Sequence, residues 1–271
     1  MALVLAFPVQ ATTSQESAVV INLAGKQRML TQKMSKEILL VAKGIEADAN
    51  KTNLEKTSAL FDKTLNGLIN GDKGLGLPKT EDPAILAQLE KIKALWQGFK
   101  KNVDAVLAGD TDPKVLENVA KQNVPLLKEM NKAVQMYAKA AGSEISPEMA
   151  TTINLAGKQR MLTQKMTKEL LLVANGIDSD TNQAALKKTV ALFDRTLKGL
   201  LEGDPDLGLS GTQDPAIRKQ LGVVQRLWAE YKPVLDALDI SDAGLAKAAR
   251  LNLPLLKEMN KAVKMYEASV K

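Results

Sequence analysis

A fourteen-residue segment, INLAGKQRMLTQKM, stands at Ile21–Met34 and returns letter for letter at Ile153–Met166, 132 positions later. The register holds through Phe61 and Phe193, through GDKGLGLPKTEDPA and GDPDLGLSGTQDPA, and through Trp96 and Trp228. It shortens by three in the last stretch, where NVPLLKEMNKAVQMY answers NLPLLKEMNKAVKMY and Pro125 pairs with Pro254, Tyr137 with Tyr266. A chain that repeats itself in this way folds as two copies of one unit, and every reading of one copy must hold for the other. The expected units are 12–142 and 143–271, joined near Gly142 to Pro147.

Within each copy apolar residues recur at spacings of three and four, with no alternating stretch, so each copy reads as four helices. They are expected near 13–44, 50–70, 83–108 and 113–141, then 147–176, 182–202, 215–238 and 242–270. Asp82-Pro83, Asp112-Pro113, Ser146-Pro147 and Asp214-Pro215 join a capping oxygen to a ring suited to the first helical position. Gly44, Gly109 and Gly176 mark helix ends, whereas Pro125, Pro233 and Pro254 fall inside helical patterns and are expected to kink or interrupt them. Four antiparallel helices with short connections bury their apolar stripes as an up-down bundle. The fold class that follows is all-α: two tandem four-helix up-down bundles related by a pseudo-twofold axis.

Composition removes most chemistry. Cysteine and histidine are absent, which excludes disulfides, zinc fingers, thiolate nucleophiles and imidazole-based triads. The helix-borne glutamates Glu16, Glu37, Glu129, Glu148, Glu169 and Glu258 lack the Glu-x-x-His pairs of a di-iron bundle, and the glycines of GDKGLGLP and GDPDLGLS lack a phosphate-loop context and read as helix connections. Met29, Met34, Met161 and Met166 sit at helical spacing among leucines and read as packing residues. No enzyme activity, metal or cofactor is therefore expected. The net charge is +6, but 31 acidic residues are interspersed with 37 basic ones and aromatics make up only 3%, so no nucleic-acid surface is expected.

Residues 1–11, MALVLAFPVQA, carry no charge and end in small residues before the polar TTSQES. They read as a leader or the remnant of a signal peptide, which places the protein in the periplasm. Nothing else approaches the roughly 20 apolar residues of a membrane span.

The first helix has two faces. One carries Val20, Leu23, Leu30, Met34, Ile38 and Val41, assigned to the bundle core. The other carries Ile21, Gly25, Arg28, Gln32 and Leu39, and its counterpart is Ile153, Gly157, Arg160, Gln164 and Leu171. Glycine inside a helix costs about 1 kcal/mol relative to alanine, and close approach by another backbone or a ligand is a reason to accept that cost. Two such faces on one chain can pack about a pseudo-twofold axis as an isologous dimer does, a monomer acting as a pseudo-dimer. Arg28 then faces Arg160, and buried guanidiniums call for something negative between them. A small planar oxyanion meets that need, because each guanidinium can offer it two parallel hydrogen bonds. Lys26, Lys33 and Lys36, with Lys158, Lys165 and Lys168, read as a solvated face that raises the local potential.

The boxes Ile21-Asn22, Ala24-Gly25, Arg28-Met29 and Ile153-Asn154, Ala156-Gly157, Arg160-Met161 resemble the first-helix box of the PilJ and NarX-like family of periplasmic sensor input domains. The resemblance covers about 120 residues twice. It implies that the box lines a dimer interface and holds nitrate or nitrite between paired arginines, here Arg28 and Arg160, with Gly25 and Gly157 beside them; Gln32 and Gln164, one turn on, complete the candidate ligand set. Members of that family flank the bundle with membrane spans and continue into a signalling module; neither is expected here, and the chain is expected to present its bound state to a membrane receptor or transporter. The alternative reading is a helical interaction module whose faces dock on a receptor or self-associate without a small ligand.

Overall fold

The structure, a computed structural model, describes residues 13–270; the expected leader over 1–11 lies outside them. The described chain is two four-helix bundles. The first contains α1 (Ser14–Ala42), α2 (Ala47–Asn70), α3 (Pro83–Leu107) and α4 (Pro113–Ala140). The second contains α5 (Pro147–Ala174), α6 (Ser179–Glu202), α7 (Pro215–Asp236) and α8 (Asp242–Ala268).

Local sequence sets the ends. Thr13 and Glu16 form a capping box at the start of α1. Ser146 caps α5, with Pro147 following in its first turn, and Asp82, Asp112 and Asp214 cap α3, α4 and α7 in the same way. Gly44 and Gly176, both at φ 70°, take the left-handed conformation that lets the amides of the next residues, Ile45 and Ile177, fold back onto Leu40 and Leu172. The glycine-rich segments between α2 and α3 and between α6 and α7 are connections built on a single 3-10 turn, each capped by an aspartate, Asp72 or Asp204.

Pro125, Pro233 and Pro254 do not interrupt their helices, which run on through all three positions. On either side of Pro125 the helix is anchored by buried Asn123 and Leu126, and on either side of Pro254 by Asn252 and Leu255. Tertiary packing there outweighs the one backbone hydrogen bond that a proline forgoes.

In the first bundle α1 packs on α2 and α4 while α3 packs on both, and the second bundle repeats the scheme. The copies match in side-chain detail: Phe61 lies 4.5 Å from Trp96 between ring centroids, Phe193 lies 4.4 Å from Trp228, and the two indoles donate to Asp62 and Asp194. The broadest helix pairing in the described chain is α1 against α5, flanked by α4 on α5 and α8 on α1. The two bundles therefore meet through their first helices. No helix of the described chain is long and apolar enough to cross a membrane.

This arrangement leaves α1 and α5 almost without a solvent face. Ile21, Gly25, Arg28, Gln32 and Leu39 are buried, as are Val20, Leu30, Met34, Ile38 and Val41, while Leu23 is only partly covered. The expected solvated lysine face is corrected here. Lys36 and Lys168 are 3% and 6% exposed, and Lys26, Lys33, Lys158 and Lys165 are half-buried. Helical periodicity was enough to orient α1 within its own bundle, but the second bundle covers the side that would otherwise meet water.

Candidate functional site

Arg28 and Arg160 project from the middles of α1 and α5 into the seam between the bundles, each 1% exposed. Each guanidinium reaches across the pseudo-twofold axis. Arg28 Nη2 donates to the backbone carbonyl of Asn154 at 3.0 Å, and Arg160 Nη2 to that of Asn22 at 3.1 Å. The Nη1 groups turn to the fourth helix of their own bundle, Arg28 to Asn131 Oδ1 at 2.9 Å and Arg160 to Asn260 Oδ1 at 2.8 Å. Both Nε–H groups are buried without a hydrogen-bond partner, although a guanidinium carries five N–H donors. Neither arginine makes a salt bridge among the described residues.

The glycines fix how closely these groups approach. A methyl group at Gly25 would lie 3.3 Å from Arg28 Nη2 and 3.8 Å from Arg160 Nη2; at Gly157 it would lie 3.3 Å from Arg160 Nη2 and 3.7 Å from Arg28 Nη2. Both guanidiniums thus border both glycines, and the four residues singled out in the sequence converge on one spot. Gln32 and Gln164 are fully buried one turn further on and point to a different layer. Gln32 Nε2 donates to Asn123 Oδ1 at 2.9 Å and Gln164 Nε2 to Asn252 Oδ1 at 2.6 Å, leaving both Oε1 atoms unpartnered.

Burial and the neighbouring Arg160 push the Arg28 guanidinium down to about 9. Burial pushes Arg160 down to about 10, with nearby Glu267 acting the other way. Lys26 is lowered by burial, then by Arg160 and Lys264; Lys158 is lowered by burial, then by Arg28. Cations thus crowd one partly dry volume, where their mutual repulsion is weakly screened. The nearby acid, Glu267 on α8, is half-buried and accepts a hydrogen bond from Asn22 Nδ2.

The asparagines were missed by the sequence reading. Asn131 and Asn260 hold the arginines, while Asn123 and Asn252 collect the glutamines and, across the axis, Lys168 and Lys36 at 3.1 Å and 3.2 Å. All four stand in the PLLKEMNKAV stretches or two residues before them, identical in both copies, and that identity was the available signal. A cleft of about 760 Å³ between α4 and the α5–α6 turn is lined by Leu116, Val124, Lys168, Leu172 and Ile177 among others. None of its lining residues belongs to the arginine cluster, so cavity size does not mark the place where charge is least satisfied.

Comparison with known proteins identifies the family of both copies. Residues 9–121 and again 143–253 match the family described as type IV pili methyl-accepting chemotaxis transducer N-term, PilJ. The chain is 27% identical over 230 residues to the methyl-accepting chemotaxis protein AlkN of Alcanivorax borkumensis, covering 83% of this chain and 31% of that protein. It is 35% identical over 126 residues to the methyl-accepting chemotaxis protein McpN of Pseudomonas aeruginosa, covering 46% of this chain and 23% of that one. The chain thus spans under a third of either protein. A solved structure, the ligand-binding domain of the P. aeruginosa nitrate receptor McpN, is 30% identical, with 45% of this chain and 96% of that one covered and a TM-score of 0.41. Both halves match the one family and together they take in most of the sequence, so the chain belongs to the PilJ family, carried twice in tandem.

Proposed function

We propose that this tandem PilJ chain is the non-enzymatic sensing part of a chemotaxis-type system, holding a small inorganic oxyanion, nitrate or nitrite, between Arg28 and Arg160. The observation that carries the reading is the convergence of two fully buried guanidiniums, one from each copy, on a pair of glycines, with no salt bridge to either among the described residues. Leaving two such charges in a dry seam costs several kcal/mol each. A planar anion accepting from both relieves desolvation and repulsion together. Gly25 and Gly157 give it access to the helix surface, while Gln32 and Gln164 bound the site on the side of the lysine layer. The relationship to McpN, whose solved domain is described as that of a nitrate receptor, points to the same class of ligand. In this reading units 12–142 and 143–271 act as one pseudo-dimer in the periplasm and pass the bound state to a membrane receptor or transporter.

The burial of each motif face against the other copy favours this reading over a docking module, because the residues that would meet a partner are already covered. Isothermal titration of the purified chain with nitrate, nitrite, chloride and sulfate tests it. Nitrate or nitrite is expected to give a saturable isotherm. Arg28→Ala or Arg160→Ala should each weaken binding by about 100-fold or more while the fold persists. Because a ligand that binds only the folded state raises its stability by about 2.7 kcal/mol at 100 times Kd, silence in both calorimetry and thermal melts at millimolar anion would remove the proposal.

A further inference from the structure

The two copies are not equal where they meet the arginines. The α8 residue facing the seam is Glu267; its counterpart on α4, by the 129-residue offset that pairs Tyr137 with Tyr266, is Ala138. Around Arg160 a chain of contacts leads outward: Nη2 donates to the Asn22 carbonyl, and Asn22 Nδ2 donates to the Glu267 carboxylate. Around Arg28 the first link is present, to the Asn154 carbonyl, but with Ala138 in place of Glu267 the carboxylate of the second is missing; the Oδ1 atoms of Asn22 and Asn154 are alike buried without partners, so the inequality lies in the acid and not in those oxygens. Lys264 likewise faces this region from α8 where α4 has Gln135. Lys264 is exposed and screened by water, whereas Glu267 is half-buried, so the carboxylate weighs more on the seam.

Resting on the oxyanion reading above, we propose that Glu267 is an internal counter-anion that sets the affinity of the arginine site. Its carboxylate partly offsets the charge on the Arg160 side, so that an incoming oxyanion gains less there than at Arg28 and is repelled by the acid it approaches. In a dimer of identical subunits such an acid would appear on both sides or neither. The tandem chain can hold it on one, which makes the site single-sided. Glu267 acts through field and through Asn22, and is a positioning and tuning residue rather than a ligand of the anion.

Nitrate titrations of the full chain and three variants test this. Glu267→Gln keeps an amide oxygen for Asn22 Nδ2 and removes only the charge; it is expected to tighten nitrate binding by about tenfold, the size of effect that one unit charge beyond salt-bridge range of a partly buried site produces. Ala138→Glu adds the missing acid on the other side and should weaken binding by about the same factor. The double variant moves the charge across the axis and should return close to the affinity of the unaltered chain, a recovery that a merely structural role for Glu267 would not give. Nitrate bound equally by the unaltered chain and Glu267→Gln overturns the role of Glu267 and leaves the oxyanion site standing. Nitrate bound by none of the four chains overturns both. Should Glu267→Gln prove unstable in thermal melts, an Ala138→Glu variant with unweakened affinity overturns the proposal by itself.

Discussion

Gly25 shows how tightly the arginine cluster is drawn. Replacing it with alanine should favour the helix by about 1 kcal/mol, yet the new methyl would press on Arg28 Nη2, whose bond to the Asn154 carbonyl ties the two copies together. Gly25→Ala is therefore expected to leave the melting temperature within a few degrees of the parent while weakening nitrate binding by about tenfold, the scale of one lost charge-assisted hydrogen bond. Unfolding curves and calorimetry on the same preparation would show the two effects parting. Gly25, Arg28 and their counterparts were legible in the sequence because residues that fit neither a core nor a wet surface occurred twice in one register. Asn131 and Asn260 were not, since an asparagine at the edge of an apolar stripe looks the same whether it faces water or a guanidinium.

The elements α1 and α5 carry a second buried cationic layer, two turns beyond the arginines. Lys36 and Lys168 are each pushed down to about 8, first by burial, with Glu37 and Glu169 opposing and Lys33 and Lys165 reinforcing. An unfolded chain with ordinary lysines near 10.5 binds more protons than the folded one between those values, so stability is expected to rise with pH from about 8 towards 10. Arg28, at about 9, adds to the rise, and the buried tyrosines Tyr137, Tyr231 and Tyr266, pushed up to about 12, oppose it only above about 10. Urea unfolding from pH 7 to 9.5 should show the midpoint climbing in the parent and most of that climb lost in Lys36→Met/Lys168→Met. Helix number, type and ends were readable because caps, prolines and glycines act locally. The fate of these lysines was not, because burial from outside a bundle leaves no periodic mark in the bundle's own sequence. The continuity of α4 and α8 through Pro125 and Pro254 was unreadable for the same reason: Asn123 and Asn252, which flank those prolines, accept from lysines across the seam.

At the scale of the whole molecule, one seam serves two copies, so under the oxyanion proposal the 29.3 kDa chain is expected to offer one anion position rather than two. Light scattering should find a monomer at micromolar concentration, and titration should saturate at one nitrate per chain; two per chain would place the ligand outside the seam. The pseudo-twofold arrangement was inferable from the duplication, but its inequality was not, since Glu267 opposite Ala138 gains meaning only once the helices are seen to converge. The packing of α1 on α5 also bears on how such a chain can change over generations. Each of these helices is the mould in which the other is cast, so substitutions in either must suit two partners at once, and the fourteen letters they share are held in common by mutual fit. The helices α2, α3, α6 and α7 answer mainly to their own half, whereas α4 and α8 reach the rim of the seam, and it is there that a fused pair can carry a difference, Glu267 against Ala138, that two identical subunits could not.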